Sequence, residues 1–151
     1  MTDEVRWATL EDKDEVFKIA LNAHREIGLF SFSVPKFQIM WDSYALQQGG
    51  ACGVIGEKGA LKGAIFLAIT STYYSDENFL SELFLYVHPE FRASRCARNL
   101  IDFAKHVATE LKMKLLIGVL CKENTQRKVE FYQRQLGAPI GATFVFEGTE
   151  K

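Results

Sequence analysis

Three arginines crowd one strand-to-helix turn. In Val87-His88-Pro89-Glu90-Phe91-Arg92-Ala93-Ser94-Arg95-Cys96-Ala97-Arg98-Asn99-Leu100, an apolar strand ends at Val87 and a helix follows. The helix starts at Ser94 or Arg95, so Arg92, Arg95 and Arg98 fall in and around its first turns. A helix N-terminus already carries roughly half a positive charge. Arginines there are electrostatically misplaced unless an anion joins them, and the free backbone N–H groups of the first turn point at the same place. The pattern predicts a phosphate-bearing ligand held at the turn. A solvated helix face would also account for the charges, but their concentration at the wrong end of the helix favours the anion.

The other reactive side chains form no such group. His24, His88 and His106 are scattered, His88 in the loop and His106 on a polar helix face. Cys52, Cys96 and Cys121 make no CxxC pair and no metal-ligand spacing, so no metal is expected. An odd cysteine count without a framework fits reduced thiols and a cytoplasmic location. Cys96 reads most simply as a small residue that fits its site.

Several elements must position the arginine turn. Val5-Arg6-Trp7-Ala8 is a first strand. Thr9 with Asp12 three residues on marks a capped helix start, and the helix runs from about Glu11 to Arg25. It buries Val16, Ile19, Ala20 and Ala23 at helical spacing. A second helix starts near Pro35 and ends at Gly49-Gly50. Residues 52–56 and 61–70 form a hairpin around Glu57-Lys58-Gly59-Ala60. Residues 79–87 are the central strand, stopped by Pro89, which has no N–H to donate. The arginine helix runs to about Lys112 with Leu100, Ile101, Ala104, Val107 and Ala108 on one face. Residues 115–120 read as a parallel, fully buried strand, residues 126–135 as a helix, and residues 140–146 as a closing strand. The order is β-α-α-β-β-β-α-β-α-β. The fold class is α/β (α+β), with a mixed, partly antiparallel central sheet flanked by helices.

Composition bounds the rest. The 151 residues suit one domain spanning 1–151, and nearly half are apolar. The formal net charge of −1 gives no global field for nucleic acid or a membrane surface. No run approaches the roughly 20 apolar residues of a membrane span. The acidic opening Met1-Thr2-Asp3-Glu4 has no signal-peptide pattern. No GxGxxG or GxxxxGK[ST] occurs, which argues against dinucleotide and P-loop chemistry.

The arginine turn resembles the acetyl-CoA pyrophosphate loop of the GCN5-related N-acetyltransferases (GNAT), whose motif is V-x-P-x-x followed by R/Q-x-x-G-x-G/A. Val87, Pro89, Arg92 and Ala97 match it, while Arg95 stands where the family usually has glycine. A loop that needs no left-handed residue there could still bind, with the guanidinium adding charge. Asn124, Tyr132 and Gly137 are similar to a second family motif, with Tyr132 and Gly137 one residue further apart than usual. Phe131 rivals Tyr132 for the tyrosine position. Tyr132 is favoured because its hydroxyl is the only one available.

The resemblance implies acetyl transfer from acetyl-CoA to an amine by direct attack in a ternary complex. Glu82 is the candidate base; counting along the strand puts it about 16 Å from Val87, so a water chain would serve it. Its parity, opposite to Leu83, Leu85 and Val87, sends it to the other sheet face. Tyr132 is the candidate acid to the leaving thiolate. The family's bulged strand would offer backbone N–H groups from Phe84, Leu85, Tyr86 and Val87. Arg92, Ala93, Ser94, Arg95, Cys96 and Ala97 would line the pyrophosphate, Arg98 or Arg127 would reach the adenosine phosphate, and Asn124 would hold the pantetheine side. Phe30, Phe32, Phe37, Trp41 and Tyr44, together with Tyr73, Tyr74 and Asp76, are candidate walls for an amine acceptor of unassigned identity. The closing strand could pair across a homodimer. The rival readings are an inactive GNAT-like module that binds CoA or a protein, and a nucleic-acid binder using Arg92, Arg95, Arg98, Lys105 and Lys112; near-neutral charge counts against the latter.

Overall fold

The computed structural model describes residues 4–149; residues 1–3 of the acidic opening and residues 150–151 lie outside it. Five strands form one sheet in chain order: β1 (Val5–Trp7), β2 (Gly50–Glu57), β3 (Ala60–Ser71), β4 (Asn78–Val87) and β5 (Lys114–Leu116). β1 to β4 are antiparallel neighbours, and β5 runs parallel to β4. The parallel step needs a crossover, supplied by α3 (Cys96–Leu111). α1 (Lys13–Ile27) and α2 (Val34–Tyr44) follow β1, and α4 (Thr125–Leu136) follows β5.

Strand alternation builds a core on each face of the sheet. Cys52, Val54, Ala64 and Phe66 pack with Val16 and Ile19 of α1 and with Phe37 and Trp41 of α2. Ile55, Ile65 and Leu67 face Leu100, Ala104 and Val107 of α3. The four α1 positions picked out by helical spacing, Val16, Ile19, Ala20 and Ala23, are all buried. The helix begins slightly later than its spacing predicts, after a 3-10 turn over Leu10–Asp12.

Asp12 is a charged side chain buried in the fold. Its carboxylate accepts two hydrogen bonds from Arg6, at 2.8 and 3.0 Å, and one from the Thr9 backbone N–H at 2.8 Å. Burial alone would raise its pKa; the bonds from Arg6 and Thr9 outweigh that and leave it below the usual value. Asp12→Ala is expected to cost about 2–3 kcal/mol, from the lost charged hydrogen bonds and cap. Denaturant unfolding checks this. Because the folded-state pKa is depressed, the cost is full at neutral pH and shrinks as pH falls below about 4.

Two expectations at the C-terminal side are corrected. The parallel strand predicted over 115–120 pairs with β4 only over Lys114–Leu116, and residues 114–120 alternate between half-buried and exposed. No strand forms over 140–146: Ile140, Phe144 and Phe146 are 94%, 90% and 93% exposed. The composition of the segment suits a strand, but a strand exists only where a neighbour supplies the ladder. Nothing in the chain pairs with it among the described residues.

Candidate active site

The site lies where β4 parts from β5. Their parallel pairing covers Phe79–Ser81 and stops there, so Glu82 onwards has β3 on one side and an open edge on the other. Opposite the bulge, Phe66 pairs with Phe84 and Leu67 with Glu82, which leaves Leu83 as an extra residue. The bulge corrects the parity argument for Glu82. Leu80 on one side of it and Leu85 and Val87 on the other pack into the same α3-facing core, though two-residue alternation would separate them.

Beyond the bulge the backbone is regular again. The His88 N–H donates to Lys62 O at 2.9 Å. Counting back in steps of two, Tyr86 and Phe84 present their N–H groups to β3, and Val87 and Leu85 present theirs to the open edge. The Val87 carbonyl lies on that edge too, where it accepts from Arg92 Nε at 2.7 Å.

A cavity fills the gap. Its floor is β4 from Glu82 to Tyr86. One wall is the end of α1, with Ala23, Glu26 and Ile27; the other is Gly118, Val119 and Leu120 after β5, with Lys128 and Tyr132 of α4. Glu82 and Tyr132, 50 residues apart in the chain, are thus in one pocket. Burial pushes the Glu82 carboxyl up from the ordinary 4.5 to about 7, partly offset by a hydrogen bond donated by the Gly118 N–H. Burial also pushes the Tyr132 phenol well above its usual value, with the nearby Glu82 carboxylate and the Cys121 thiol adding to the rise. The pair therefore offers a carboxylate able to gain a proton near neutrality and a phenol that keeps its own.

Arg92 is anchored rather than free. Besides Val87 O it binds Glu26 at 2.7 Å, and its guanidinium lies 5.0 Å from the centre of the Tyr86 ring. Lys128 Nζ stands 3.7 Å from the other oxygen of Glu26. Glu26 thus gathers two cations at the cavity rim.

The arginine turn forms where its sequence places it. A 3-10 turn covers Pro89–Phe91, and α3 begins at Cys96. Arg95 precedes the helix at φ −90°, ψ 8°, a right-handed backbone open to any residue. Glycine's freedom is therefore not needed in this loop. Arg92, Ala93, Ser94, Arg95 and Arg98 are exposed. Ser94 Oγ accepts from the Cys96 N–H at 3.2 Å, while the N–H groups of Ala97 and Arg98 have no intrahelical acceptor. The Cys96 side chain is buried against Leu100 in the α3 core, so it presents no thiol to a ligand.

The structure therefore brings Glu82, Leu85, Tyr86 and Tyr132 together, with Val87 and Arg92 beside them. Asn124 and Arg127 sit apart, on the exposed start of α4, where Asn124 takes a left-handed backbone (φ 62°). Of the aromatic walls, Phe37 and Trp41 are core, stacked with Phe66; Phe30, Tyr73 and Tyr74 are exposed. Glu26, Gly118 and Lys128 were not singled out from sequence. Glu26 carried a signal: an acidic side chain in the last turn of a helix faces the negative end of its dipole. That is the same misplacement, of opposite sign, that marks the arginines.

A protein-family model described as Acetyltransferase (GNAT) family matches residues 14–138. No curated protein sequence matches. Among solved structures, an aminoglycoside acetyltransferase, meta-AAC0020 from an uncultured soil metagenomic sample, is similar with a TM-score of 0.73 at 14% identity, covering 98% of this chain and 96% of that one. A ribosomal-protein-alanine N-acetyltransferase from Brucella melitensis biovar Abortus 2308 is similar at 0.70 and 14%, covering 95% and 96%. AAC(6')-Iy, in complex with the bisubstrate analogue CoA-S-monomethyl-acetylneamine, is similar at 0.72 and 13%, covering 98% of each. At these identities the likeness shows the shared fold.

Proposed function

The chain belongs to the GNAT acetyltransferase family, and from that premise we propose that it moves an acetyl group from acetyl-CoA to a primary amine by direct attack in a ternary complex. The observation that carries this reading is the pairing of Glu82 and Tyr132 in one cavity at the opened edge of β4. Acetyl-CoA would supply the activated thioester. The residues fit it: the Leu85 and Val87 N–H groups line the edge, and the first-turn N–H groups of α3 with Arg95 and Arg98 suit phosphates.

Each residue has one task. An amine arrives largely as ammonium, with a pKa of about 10. Glu82 takes its proton, directly or through water. The nitrogen lone pair then forms the amide bond while the carbon–sulfur bond breaks. Negative charge gathering on the thioester oxygen is met by a β4 N–H. Tyr132 gives its proton to the departing sulfur. The nitrogen sheds its second proton as the amide forms, which restores the one Tyr132 gave to sulfur, and the proton held by Glu82 leaves to solvent, so the site returns to its starting state.

Arg92 favours a second reading, a domain that binds without turnover, because Glu26 and Val87 already occupy it. Release of free CoA thiol from acetyl-CoA in the presence of an amine separates the two, and calorimetric titration of acetyl-CoA at fixed salt tests the cofactor site they share. Wild type is expected to bind at about micromolar Kd, and Arg92→Ala to weaken binding about tenfold, the value of one charge-assisted contact. Lys105→Ala is expected to change little, since Lys105 Nζ spends its charge on Gln135 O at 2.7 Å. Equal losses would move the pyrophosphate away from Arg92. No binding by wild type would leave an interaction module.

A further inference from the structure

Two misplaced charges of opposite sign meet at the cavity rim. Glu26 lies in the last turn of α1, at the negative end of that helix, and Arg92 lies just ahead of α3, at a positive one. Glu26 Oε2 accepts from Arg92 Nη2 at 2.7 Å, and Lys128 Nζ of α4 stands 3.7 Å from Glu26 Oε1. One carboxylate therefore ties α1 to the arginine turn and to α4, beside the cavity that Glu26 and Lys128 both line. The side chains are 36%, 41% and 40% exposed for Glu26, Arg92 and Lys128. Ion pairs this open to water shift an equilibrium only about two- to fivefold, so a more highly charged ligand can part them. Arg92 does not depend on Glu26 for its position. Its Nε donates to Val87 O at 2.7 Å, and its guanidinium lies 5.0 Å from the centre of the Tyr86 ring. These two anchors hold the fork, and Nη2 alone meets Glu26.

We propose that Glu26 is a built-in competitor for the phosphates of acetyl-CoA and so sets how tightly this chain holds its cofactor; the proposal rests on the reading of the arginine turn given above. A phosphate reaching Arg92 meets a guanidinium already aimed and has only to displace one carboxylate oxygen from Nη2. The Glu26 carboxylate is not stranded when it yields, because Lys128 stands beside its other oxygen. Arg92 is open to phosphate only for the fraction of time that Glu26 is turned away, and the apparent affinity falls by that fraction. CoA carries the same phosphates as acetyl-CoA. The returning carboxylate therefore loosens the product as much as it loosens the cofactor.

Calorimetric titration of acetyl-CoA, and separately of CoA, into wild type, Glu26→Gln, Arg92→Ala and the double variant tests this with no acceptor present. Glu26→Gln keeps the size of the side chain and removes its charge, and the Lys122 N–H donates to the Glu26 backbone carbonyl, which the change leaves in place. Far-UV circular dichroism is therefore expected to be unchanged. Glu26→Gln is expected to tighten both ligands about three- to fivefold, the size of a half-exposed ion pair. In the Arg92→Ala background the same change should give less than about twofold, since the contact it relieves is already gone. Weaker binding by Glu26→Gln than by wild type overturns the proposal and makes Glu26 a support for Arg92. An equal gain in both backgrounds overturns it as well, because charge acting at a distance has no need of Arg92. Where wild type binds and Glu26→Gln shows no gain, this proposal fails alone; where neither binds, the cofactor reading fails and this proposal with it.

Discussion

Glu82→Gln is expected to lower turnover by about 10² to 10⁴, the range for loss of a positioned general base, while acetyl-CoA affinity stays near wild type. The pH profile makes the test specific. The Glu82 carboxyl titrates at about 7 because burial disfavours its charge. A base works only when deprotonated, so wild-type kcat/KM should rise with pH and bend near 7. Glu82→Gln should lose that bend and keep only the slower rise toward the acceptor's own pKa of about 10. Stability gives a second readout with a fixed sign. A carboxyl whose pKa is raised on folding favours the folded state at low pH and loses that advantage as pH climbs from about 4.5 to 7. Glu82→Gln should therefore melt like wild type near pH 4 and above it at pH 8. A variant with full turnover and an unchanged profile would give the proton to water alone.

Tyr132→Phe carries the next largest expected effect, a fall in kcat of about 10² with little change in acetyl-CoA binding. Its phenol pKa is raised by burial first and by Glu82 second, so the hydroxyl stays protonated well past the usual phenol range. Wild-type rates should accordingly show no alkaline decline below about pH 10, where an ordinary tyrosine would lose its proton. Rapid-mix kinetics with free thiol as the readout locate the loss in the chemical step. Unchanged turnover would make Tyr132 a wall of the cavity and nothing more.

Much of this arrangement is legible in sequence, for local reasons. The α1 core positions follow from helical spacing, the β2–β3 hairpin from its turn, and the arginine turn from charges at the wrong helix end. The closing strand at 140–146 was not legible as unpaired, because strand propensity does not say whether an edge is within reach. The anchoring of Arg92 by Glu26 joins residues 66 positions apart, and only the fold brings them together. The extra residue at Leu83 leaves no mark at all. Ser-Glu-Leu-Phe-Leu reads as an ordinary strand, and the site depends on its irregularity.

That extra residue also limits how such a chain can change over generations. A bulge is a matter of count, and substitution alters side chains without altering count. Deleting one residue would restore a regular ladder, but it would turn residues 84–87 over, sending Phe84 and Tyr86 toward α3 and Leu85 and Val87 toward α1. Both packed faces, each complementary to the helix it now meets, would be inverted in one step. The opened edge of β4 is therefore inherited whole, and mutation can tune the chemistry around it far more readily than it can close it.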